Sequence, residues 1–502
     1  MTETIQAPAE SVHGVDPNDH VATALRDIVK GETLDLHGQK ITARSDIPKG
    51  HKIAIRAAAA DEDVLKYGWP IGRASINIAI GDHVHVHNVA TKLSGLEDYV
   101  WTPSAPPELP KADDRTFMGY RRADGRVGTR NEIWVLCTVG CVANTARRIA
   151  DKANARFAGR TDGVFAFPHP FGCSQLGDDL IHTRKLIAAL AAHPNAGGVL
   201  ILGLGCENNQ LKALLESAPN LDPARLRSFT TQMVDDELED GLAAIEDLIA
   251  LVEQDVRAPC PVADLVVGLK CGGSDGFSGV TANPLVGRIA DKVSAAGGTP
   301  VLTEIPEIFG AEQMLLTRAS SQGVFDSALC VIDDFKRYFI DNHQPIHENP
   351  SPGNIAGGIT TLEEKSLGAV QKGGRSTLVE VLRYGERVGP HGLTLLEAPG
   401  NDAVSSTALT AAGATMILFT TGRGTPLGFP APTLKIASNS ALAARKPGWI
   451  DFDAGVVLDG KSMDQAANDL MDLVVETASG KPTKAEINGE REIAIWKQGV
   501  TL

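Results

Sequence analysis

Three histidines at alternate positions form the first pattern in the sequence that could support chemistry. In the segment GDHVHVHN, one residue separates His83 from His85 and His85 from His87, and Asn88 follows. Alternate side chains of a β-strand point to the same face, so this spacing predicts three imidazoles side by side. Such a group could bind a divalent metal or a polyhydroxy acid, or supply a base. A solvated strand face is the simpler alternative.

Three cysteines in glycine-containing loops form a second set of candidates. Cys173, Cys206 and Cys271 lie in FGCSQLGDD, GLGCENN and LKCGGSDGFSG, with Glu207 and Asp275 close by in the sequence. Their spacing is too wide for a local CxxC-type motif, so the sequence alone does not show that they converge. If they did, their thiolates could hold iron or an iron–sulfur cluster with one iron open. Free cysteine is also commonly a small buried residue without a functional role.

Polar, glycine-rich loops in the second half of the chain form a third group. Their carboxylates suit Mg, Mn or Fe(II), and their Lys and Arg side chains suit a substrate carboxylate. Any one of these residues is also a common cap or turn residue, so the density of the loops carries the signal. The residues are Glu304, Glu307, Glu312, Asn354, Lys365, Asp402, Arg423 and Asp453.

The elements that must position these residues fall into a β-rich part and a longer α/β part. Short β-like runs come first, and the proline-rich segment TPSAPPELPKAD predicts a linker. Beyond it, apolar runs such as EIWVLCTVG alternate with amphipathic helical segments, which predicts α/β domains with a parallel sheet. Many of the runs end in Gly, Pro or small polar residues, and ligand sites collect at such strand ends. The expected divisions are a flexible tail at 1–15, a β domain at 16–100, a linker at 101–114, and α/β domains at 115–260 and 261–502.

Composition excludes several classes of function. The net charge of −15 disfavours nucleic acid and anionic membranes as partners, and no apolar run approaches the roughly 20 residues of a membrane helix. The N-terminal segment has no signal-peptide pattern, and the seven cysteines are an odd number, so we expect reduced thiols and a cytoplasmic location. Motifs for phosphate loops, HExxH zinc sites and GxSxG hydrolases are absent, and GLGCEN lacks the third glycine of a dinucleotide fingerprint.

Long segments of the chain resemble the altronate/galactarate dehydratase family. They include KYGWPIGRA, GDHVHVHN, GYRRADGRVGTRNEIWVLCTVGCV, CGGSDGFSGVTANP, TEIPEIFGAEQ, ENPSPGNIAGGITTLEEKSLG and APGNDAVSSTAL, and the resemblance covers residues 16–502. It implies a small β-clip (SAF-like) domain, a linker, an α/β domain used in homodimer formation, and a C-terminal Rossmann-like variant with a parallel sheet and a metal site.

The resemblance also implies a reaction and a cofactor. The reaction is the dehydration of D-altronate to 2-dehydro-3-deoxy-D-gluconate in hexuronate (galacturonate) catabolism, and the cofactor is Fe(II), or Mn(II) in its place. An iron–sulfur cluster, which only the cysteine loops suggest, is the less favoured alternative. The alternatives are dehydration of galactarate, a sulfo-lyase acting on sulfolactate, and a sugar-acid binding protein without catalysis. Altronate dehydration, galactarate dehydration and the sulfo-lyase reaction would differ in the product released, and a binding protein would show binding without turnover.

Within this reaction we assign provisional roles to the candidates. We expect His85 or His87 to transfer the proton and Lys66 to help hold the substrate carboxylate. The metal is expected on Cys173, Cys206 and Cys271, with Glu207 or Asp275 nearby. The residues expected to bind the substrate are His51, His83, Asn88, Lys365 and Arg423.

Overall fold

The chain forms three domains in succession, a small β domain followed by two α/β domains, which confirms the predicted fold class. The largest cluster of buried apolar side chains includes Val21, Trp134 and Leu418, so all three domains contribute to one continuous core. Within the described residues, no helix has the length and apolar character needed to cross a membrane. The computed structural model describes residues 11–103, 105, 107–218, 221–389 and 391–502.

The first domain consists of short antiparallel strands in three small sheets, ordered β1-β2-β5-β8, β3-β4 and β6-β7-β9. Two of its hairpins turn through His37–Gly38 and Tyr67–Gly68, where both residues have positive φ angles. Two-residue loops of this conformation match the twist of the strands that they join. The strands are β1 Val12–His13, β2 Val21–Ala24, β3 Thr33–Leu36, β4 Gln39–Thr42, β5 Lys52–Ala54, β6 Asp63–Lys66, β7 Trp69–Ala74, β8 His83–Val84 and β9 Val89–Ala90.

Two sequence predictions for this domain are wrong in detail. His83, His85 and His87 do not share one strand face, because β8 ends at Val84 and residues 85–88 form a turn. The domain also begins inside the predicted tail 1–15, since β1 pairs with β2 and Val12 is buried. Residues 1–10 of that predicted tail lie outside the described residues.

The second domain is a four-stranded parallel sheet, ordered β13-β12-β14-β15, with helices between its strands. A separate antiparallel sheet, ordered β11-β10-β16, carries the chain into and out of the domain. The apolar runs of the sequence therefore become buried strands, as predicted. The elements are β10 Thr116–Arg121, β11 Val127–Gly128, β12 Glu132–Cys137, α1 Ala143–Arg156, β13 Val164–Phe167, α2 Gly177–Ala191, β14 Ala196–Gly203, α3 Leu211–Glu216, β15 Leu226–Thr230, α4 Glu237–Val252 and β16 Ala258–Pro261.

The third domain contains a seven-stranded parallel sheet, ordered β19-β20-β18-β17-β21-β22-β23. Strand β17 is central, and its carboxyl end leads directly into the segment CGGSDG, so this loop opens at the middle of the sheet. The elements are β17 Val266–Cys271, α5 Ala282–Ala296, β18 Thr299–Leu302, α6 Glu312–Leu316, α7 Gln322–Asp341, α8 Pro352–Ala356, α9 Leu362–Val370, β19 Leu378–Leu382, β20 Leu393–Leu396, α10 Asp402–Ala411, β21 Met416–Thr421, β22 Thr433–Ala437, α11 Ser440–Arg445, β23 Phe452–Asp453, α12 Met463–Ala478 and α13 Lys484–Ile487.

Candidate active site

Four imidazoles of the first domain lie against one another, which we call the histidine cluster: His51, His83, His85 and His87. His51 Nδ1 lies 3.1 Å from His83 Nε2, so one of these two nitrogens carries a proton and the other accepts it. The ring centroids of His51 and His85 are 4.7 Å apart, and those of His83 and His87 are 5.3 Å apart. The sequence therefore identified three members of a real cluster and, in His51, a predicted substrate contact that is its fourth.

A turn, and not a strand face, brings these rings together. Asn88 Oδ1 accepts a hydrogen bond from the backbone N–H of His85 at 2.9 Å, and Asn88 Nδ2 donates to the carbonyl of His83 at 2.9 Å. The side chain of Asn88 is buried and is used within the turn. It therefore holds the turn in shape, and the expected contact between Asn88 and the substrate is not supported.

Two imidazoles of the cluster, His83 and His85, are neutral at neutral pH. Burial, together with the neighbouring imidazoles and the ammonium of Lys52, lowers the pKa of His83 to about 4. The same causes lower the pKa of His85 to about 3. A neutral imidazole can accept a proton, so this arrangement supplies candidate bases that stay available well below pH 7.

A buried three-residue ion bridge attaches the first domain to the third. Glu364, near the start of α9, accepts hydrogen bonds from Lys52 Nζ and Lys66 Nζ, both at 2.8 Å. All three side chains are at most 2% exposed. The expected role of Lys66 in holding the substrate carboxylate is therefore not supported, because its ammonium is enclosed and paired with Glu364.

Glycines allow the two domains to approach closely beside the histidine cluster. A Cβ atom on Gly276 would lie 1.9 Å from the carbonyl oxygen of Gly50, and one on Gly358 would lie 2.3 Å from the same oxygen. His85 Nδ1 lies 3.3 Å from Thr360 Oγ1 of the third domain. Loops of the third domain thus form a wall of the site that contains the histidine cluster.

A second buried group lies at the carboxyl ends of β17 and β18. Cys271 Sγ is 3.0 Å from Glu307 Oε2 and 3.7 Å from Glu304 Oε2. Among the described residues, these three form the one group of His, Cys, Asp or Glu side chains whose ligand atoms all lie within 4.8 Å of each other. We call them the Cys-Glu-Glu set. Glu304 has a positive φ angle of 71°, a strained conformation that is frequent at functional sites.

Three lysines neutralise the carboxylates of this region. Lys372 Nζ donates to Cys271 Sγ at 2.7 Å, and Lys365 Nζ donates to Glu307 Oε1 at 2.8 Å. Lys270 forms an ion pair with Glu304. Burial alone would raise the pKa of Glu307, but these ammonium groups outweigh it and lower that pKa to about 2. Burial and the nearby Glu307 raise the pKa of the Cys271 thiol.

The donor atoms of the Cys-Glu-Glu set fit a divalent first-row metal ion. One sulfur and two carboxylate oxygens combine a soft ligand with hard ligands. This mixture suits Fe(II) or Mn(II) better than it suits calcium, which prefers sites made of oxygen ligands alone. All three side chains are buried, so the ion would be shielded from bulk water. The raised pKa of Cys271 means that binding must release the thiol proton, which makes metal affinity depend on pH.

The structure does not bring the five predicted metal ligands together. None of Cys173, Cys206, Glu207 and Asp275 joins Cys271 in a group of three or more ligand atoms within 4.8 Å, among the described residues. Cys173, Cys206 and Glu207 lie on loops of the second domain. Asp275 is buried and accepts hydrogen bonds from Ser278, Ser438 and Asn439 side chains, so its oxygens are already used to fix the loop after Cys271.

The remaining substrate candidates lie next to the Cys-Glu-Glu set. Lys365 contacts both Glu307 and Asn349, at 2.8 and 3.0 Å. Arg423 is exposed, and its backbone N–H donates to the carbonyl of Gly273, two residues beyond Cys271. The contact of each with substrate stays a prediction.

Several charged residues of the site were missed by the sequence reasoning. Lys52 and Lys270 each interrupt an apolar strand run, in HKIAI and VVGLKC, and a lysine buried in such a run nearly always has an acidic partner. Lysines within apolar strand runs could therefore have identified these two residues from the sequence. Glu364 and Lys372 lie on helical segments without an unusual pattern, so their roles depend on contacts between distant parts of the chain.

Three family models match the chain in succession. They describe the altronate/galactarate dehydratase SAF domain at residues 10–92, the D-galactarate dehydratase/altronate hydrolase second domain at 119–253, and the D-galactarate/altronate dehydratase C-terminal domain at 262–501. The chain therefore belongs to the altronate/galactarate dehydratase family, as its motifs predicted.

Identity to individual relatives distinguishes between the two dehydratases of this family. The chain is 52% identical over 486 residues to an altronate dehydratase of Escherichia coli strain K12, covering 96% of this chain and 98% of that protein. It is 48% identical over 495 residues to an altronate dehydratase of Bacillus subtilis strain 168, covering 97% and 99%. Identity to a galactarate dehydratase (L-threo-forming) of Escherichia coli is 34% over 452 residues, covering 87% and 86%.

Proposed function

We propose that the chain is an altronate dehydratase, a hydro-lyase that converts D-altronate to 2-dehydro-3-deoxy-D-gluconate and water. The observation that carries the choice of substrate is the higher identity to altronate dehydratases than to galactarate dehydratase, over nearly the full length of each protein. This reaction would place the protein in hexuronate (galacturonate) catabolism.

The histidine cluster supplies the proton transfer. Dehydration removes a weakly acidic proton from C2 and breaks the bond between C3 and its hydroxyl group. His85, neutral because burial lowers its pKa, takes the C2 proton. The same imidazolium, or a neighbour in the cluster, then returns a proton to the departing hydroxyl, which leaves as water. The enol that remains tautomerises to the 2-keto acid.

The hydrogen-bonded pair of His51 and His83 gives this proton a second route. Because one nitrogen of the pair donates and the other accepts, a proton that arrives at one ring can leave from the other. His87 is exposed at the edge of the cluster and can exchange protons with solvent. His85 Nδ1 contacts Thr360, which fixes the orientation of the ring.

The Cys-Glu-Glu set would hold Fe(II), or Mn(II) in its place, through Cys271, Glu304 and Glu307. When bound, such an ion polarises the substrate carboxylate and stabilises the negative charge that develops next to it. The surrounding ammonium groups of Lys365 and Lys372 add to the attraction for a sugar acid.

Charge balance favours an anionic substrate at this set. Glu304, Glu307 and Asp402 are matched by Lys270, Lys365 and Lys372, which leaves the region neutral while the Cys271 thiol keeps its proton. A divalent ion that replaces the thiol proton leaves one positive charge in excess. Buried unpaired charge is costly, so one carboxylate completes the site.

The test is an assay of purified protein with added Fe(II) and thiol, measuring 2-keto acid from D-altronate, galactarate and sulfolactate. We expect product from D-altronate and much less from galactarate, with no sulfite from sulfolactate. Product from galactarate alone, or equal activity after complete metal removal, would refute the proposal.

A cytoplasmic location is part of the same proposal. All seven cysteines are free in the structure, which suits a reducing compartment. The homodimer implied by the family resemblance stays a prediction, and sedimentation or light scattering would test it.

A further inference from the structure

Three of the four exposed cysteines of the chain lie at one edge of the second domain. Cys141, Cys173 and Cys206 are exposed, and the fourth exposed cysteine, Cys330, lies on α7 of the third domain. Cysteine is among the residues most often buried, so three exposed thiols on neighbouring loops are unusual. The three follow β12, β13 and β14, which are adjacent in the parallel sheet.

The loops that carry these cysteines pack directly on one another. The backbone N–H of Gly140 donates to the carbonyl of Phe171 at 2.8 Å, which ties the Cys141 loop to the Cys173 loop. A Cβ on Gly172 would lie 2.0 Å from the carbonyl oxygen of Thr138, so glycine is needed for this approach. The Cys173 and Cys206 loops are joined because the N–H of Ser174 donates to Asn208 Oδ1 at 2.9 Å.

The segment after Cys173 is held in a strained conformation from two sides. Ser174 has a positive φ angle of 57°, which is uncommon for a residue other than glycine. Besides the bond from its N–H to Asn208, Ser174 accepts a hydrogen bond at its carbonyl from Leu502 N–H at 3.0 Å. The last residues of the chain thus fix the Cys173 loop.

Two helices begin beside the loops that carry these cysteines. Helices α1 and α2 start at Ala143 and Gly177, shortly after Cys141 and Cys173, and the N-terminal end of a helix favours negative charge close to it. The carboxylate of Glu207 accepts hydrogen bonds from Thr138 and two backbone N–H groups, so it is already used and does not compete with the thiols for a bound metal.

We propose that Cys141, Cys173 and Cys206 bind a [4Fe–4S] cluster, with the fourth iron open to a small ligand. The three sulfurs do not form a group within 4.8 Å of one another among the described residues. A single tetrahedral ion with bonds of about 2.3 Å would need sulfurs about 3.8 Å apart. In a cluster each thiolate binds a different iron, so the sulfurs lie farther apart.

Binding forms three iron–sulfur bonds and releases three thiol protons. The proposed cluster site shares no residue with the Cys-Glu-Glu set. The proposal therefore goes beyond the dehydration reaction, and its test does not depend on dehydratase activity.

The experiment is anaerobic reconstitution of the purified chain with equal amounts of ferrous and ferric iron, sulfide and a thiol. We expect about four iron and four sulfide per chain, with broad visible absorption from sulfide-to-iron charge transfer. Each of Cys141→Ser, Cys173→Ser and Cys206→Ser should lose most of this absorption. Cys330→Ser is the matched exposed-cysteine control and should keep it, and Cys271→Ser should keep it as well.

A spectroscopic measurement tests the open iron. Mild oxidation should release the iron that lacks a protein ligand and give the electron paramagnetic resonance signal of a three-iron cluster. Circular dichroism of each variant checks that it is folded. The proposal is wrong if the folded single variants retain wild-type iron and sulfide, or if the wild-type chain takes up no sulfide and instead holds zinc or a disulfide between these residues.

Discussion

Neutralising Glu364 should release the first domain from the third. The substitution Glu364→Gln keeps the shape of the side chain and removes the carboxylate that pairs with the buried ammonium groups of Lys52 and Lys66. Burial alone would raise the pKa of Glu364, but the two ammonium groups lower it from 4.5 to about 2. That fall corresponds to about 3 kcal/mol of stability at neutral pH.

The same magnitude follows from the cost of unpaired charge. Removal of one partner from a buried ion pair costs roughly 3–5 kcal/mol. The lower value applies here, since burial already lowers the pKa of Lys52 to about 8 and a small further fall would neutralise it. Because the folded pKa of Glu364 is lowered, its contribution is present above about pH 4.5 and is lost as the pH falls toward 2.

Hydrogen exchange measures this loss in the domain where it occurs. At neutral pH, protection of first-domain amides should fall about 100-fold in Glu364→Gln, and the difference from wild type should shrink near pH 3. Glu216→Gln is the control, because its ion pair with Lys212 is exposed and should contribute less than about 1 kcal/mol. Equal protection in Glu364→Gln and wild type at neutral pH would refute the reasoning, as would a difference that persists undiminished at pH 3.

Further predictions concern the chemistry and the domain contact. His85→Ala should lower kcat by about 100-fold or more with an unchanged circular dichroism spectrum; unchanged kcat removes it from the mechanism. Because the pKa of His85 is about 3, protonation of His85 should cause no loss of kcat/KM between pH 8 and pH 5. An inflection of kcat/KM near pH 6.5 that disappears in His85→Ala would contradict this prediction. Glu307→Gln should weaken Fe(II) binding in a metal titration, and wild-type affinity would exclude it as a ligand. Gly276→Ala should impair docking, since its Cβ would strike Gly50, and wild-type exchange protection would disprove the close contact.

The strands of both α/β domains could be predicted because their signals are local. The apolar runs of β12, β14, β17, β21 and β22 are bounded by glycine or small polar residues, and each became a buried parallel strand. The histidine cluster was predicted correctly as a group, but the predicted local structure that brings the rings together was wrong. The alternating pattern of GDHVHVHN predicted a strand face, whereas hydrogen bonds from one asparagine turn the chain after two residues of strand.

The candidate metal ligands of the Cys-Glu-Glu set could not be assigned from the sequence, because convergence is a property of the fold. Cys173 and Cys206 share a glycine-loop pattern with Cys271, yet they follow strands of a different sheet. Glu304 and Glu307 were recognised only as members of polar loops, and their contact with Cys271 depends on the pairing of β17 with β18. No local pattern distinguishes these loops from one another.

The first turn of α9 joins the two parts of the candidate site. Glu364 pairs with lysines of the first domain, and the next residue, Lys365, pairs with Glu307 of the Cys-Glu-Glu set. Successive residues of a helix point about 100° apart, so one turn can hold partners on two sides. Release of Glu364 from its lysines would therefore loosen the turn that holds Lys365 against Glu307. The first domain acts in this way as a structural support for the region around the Cys-Glu-Glu set, in addition to supplying the histidines.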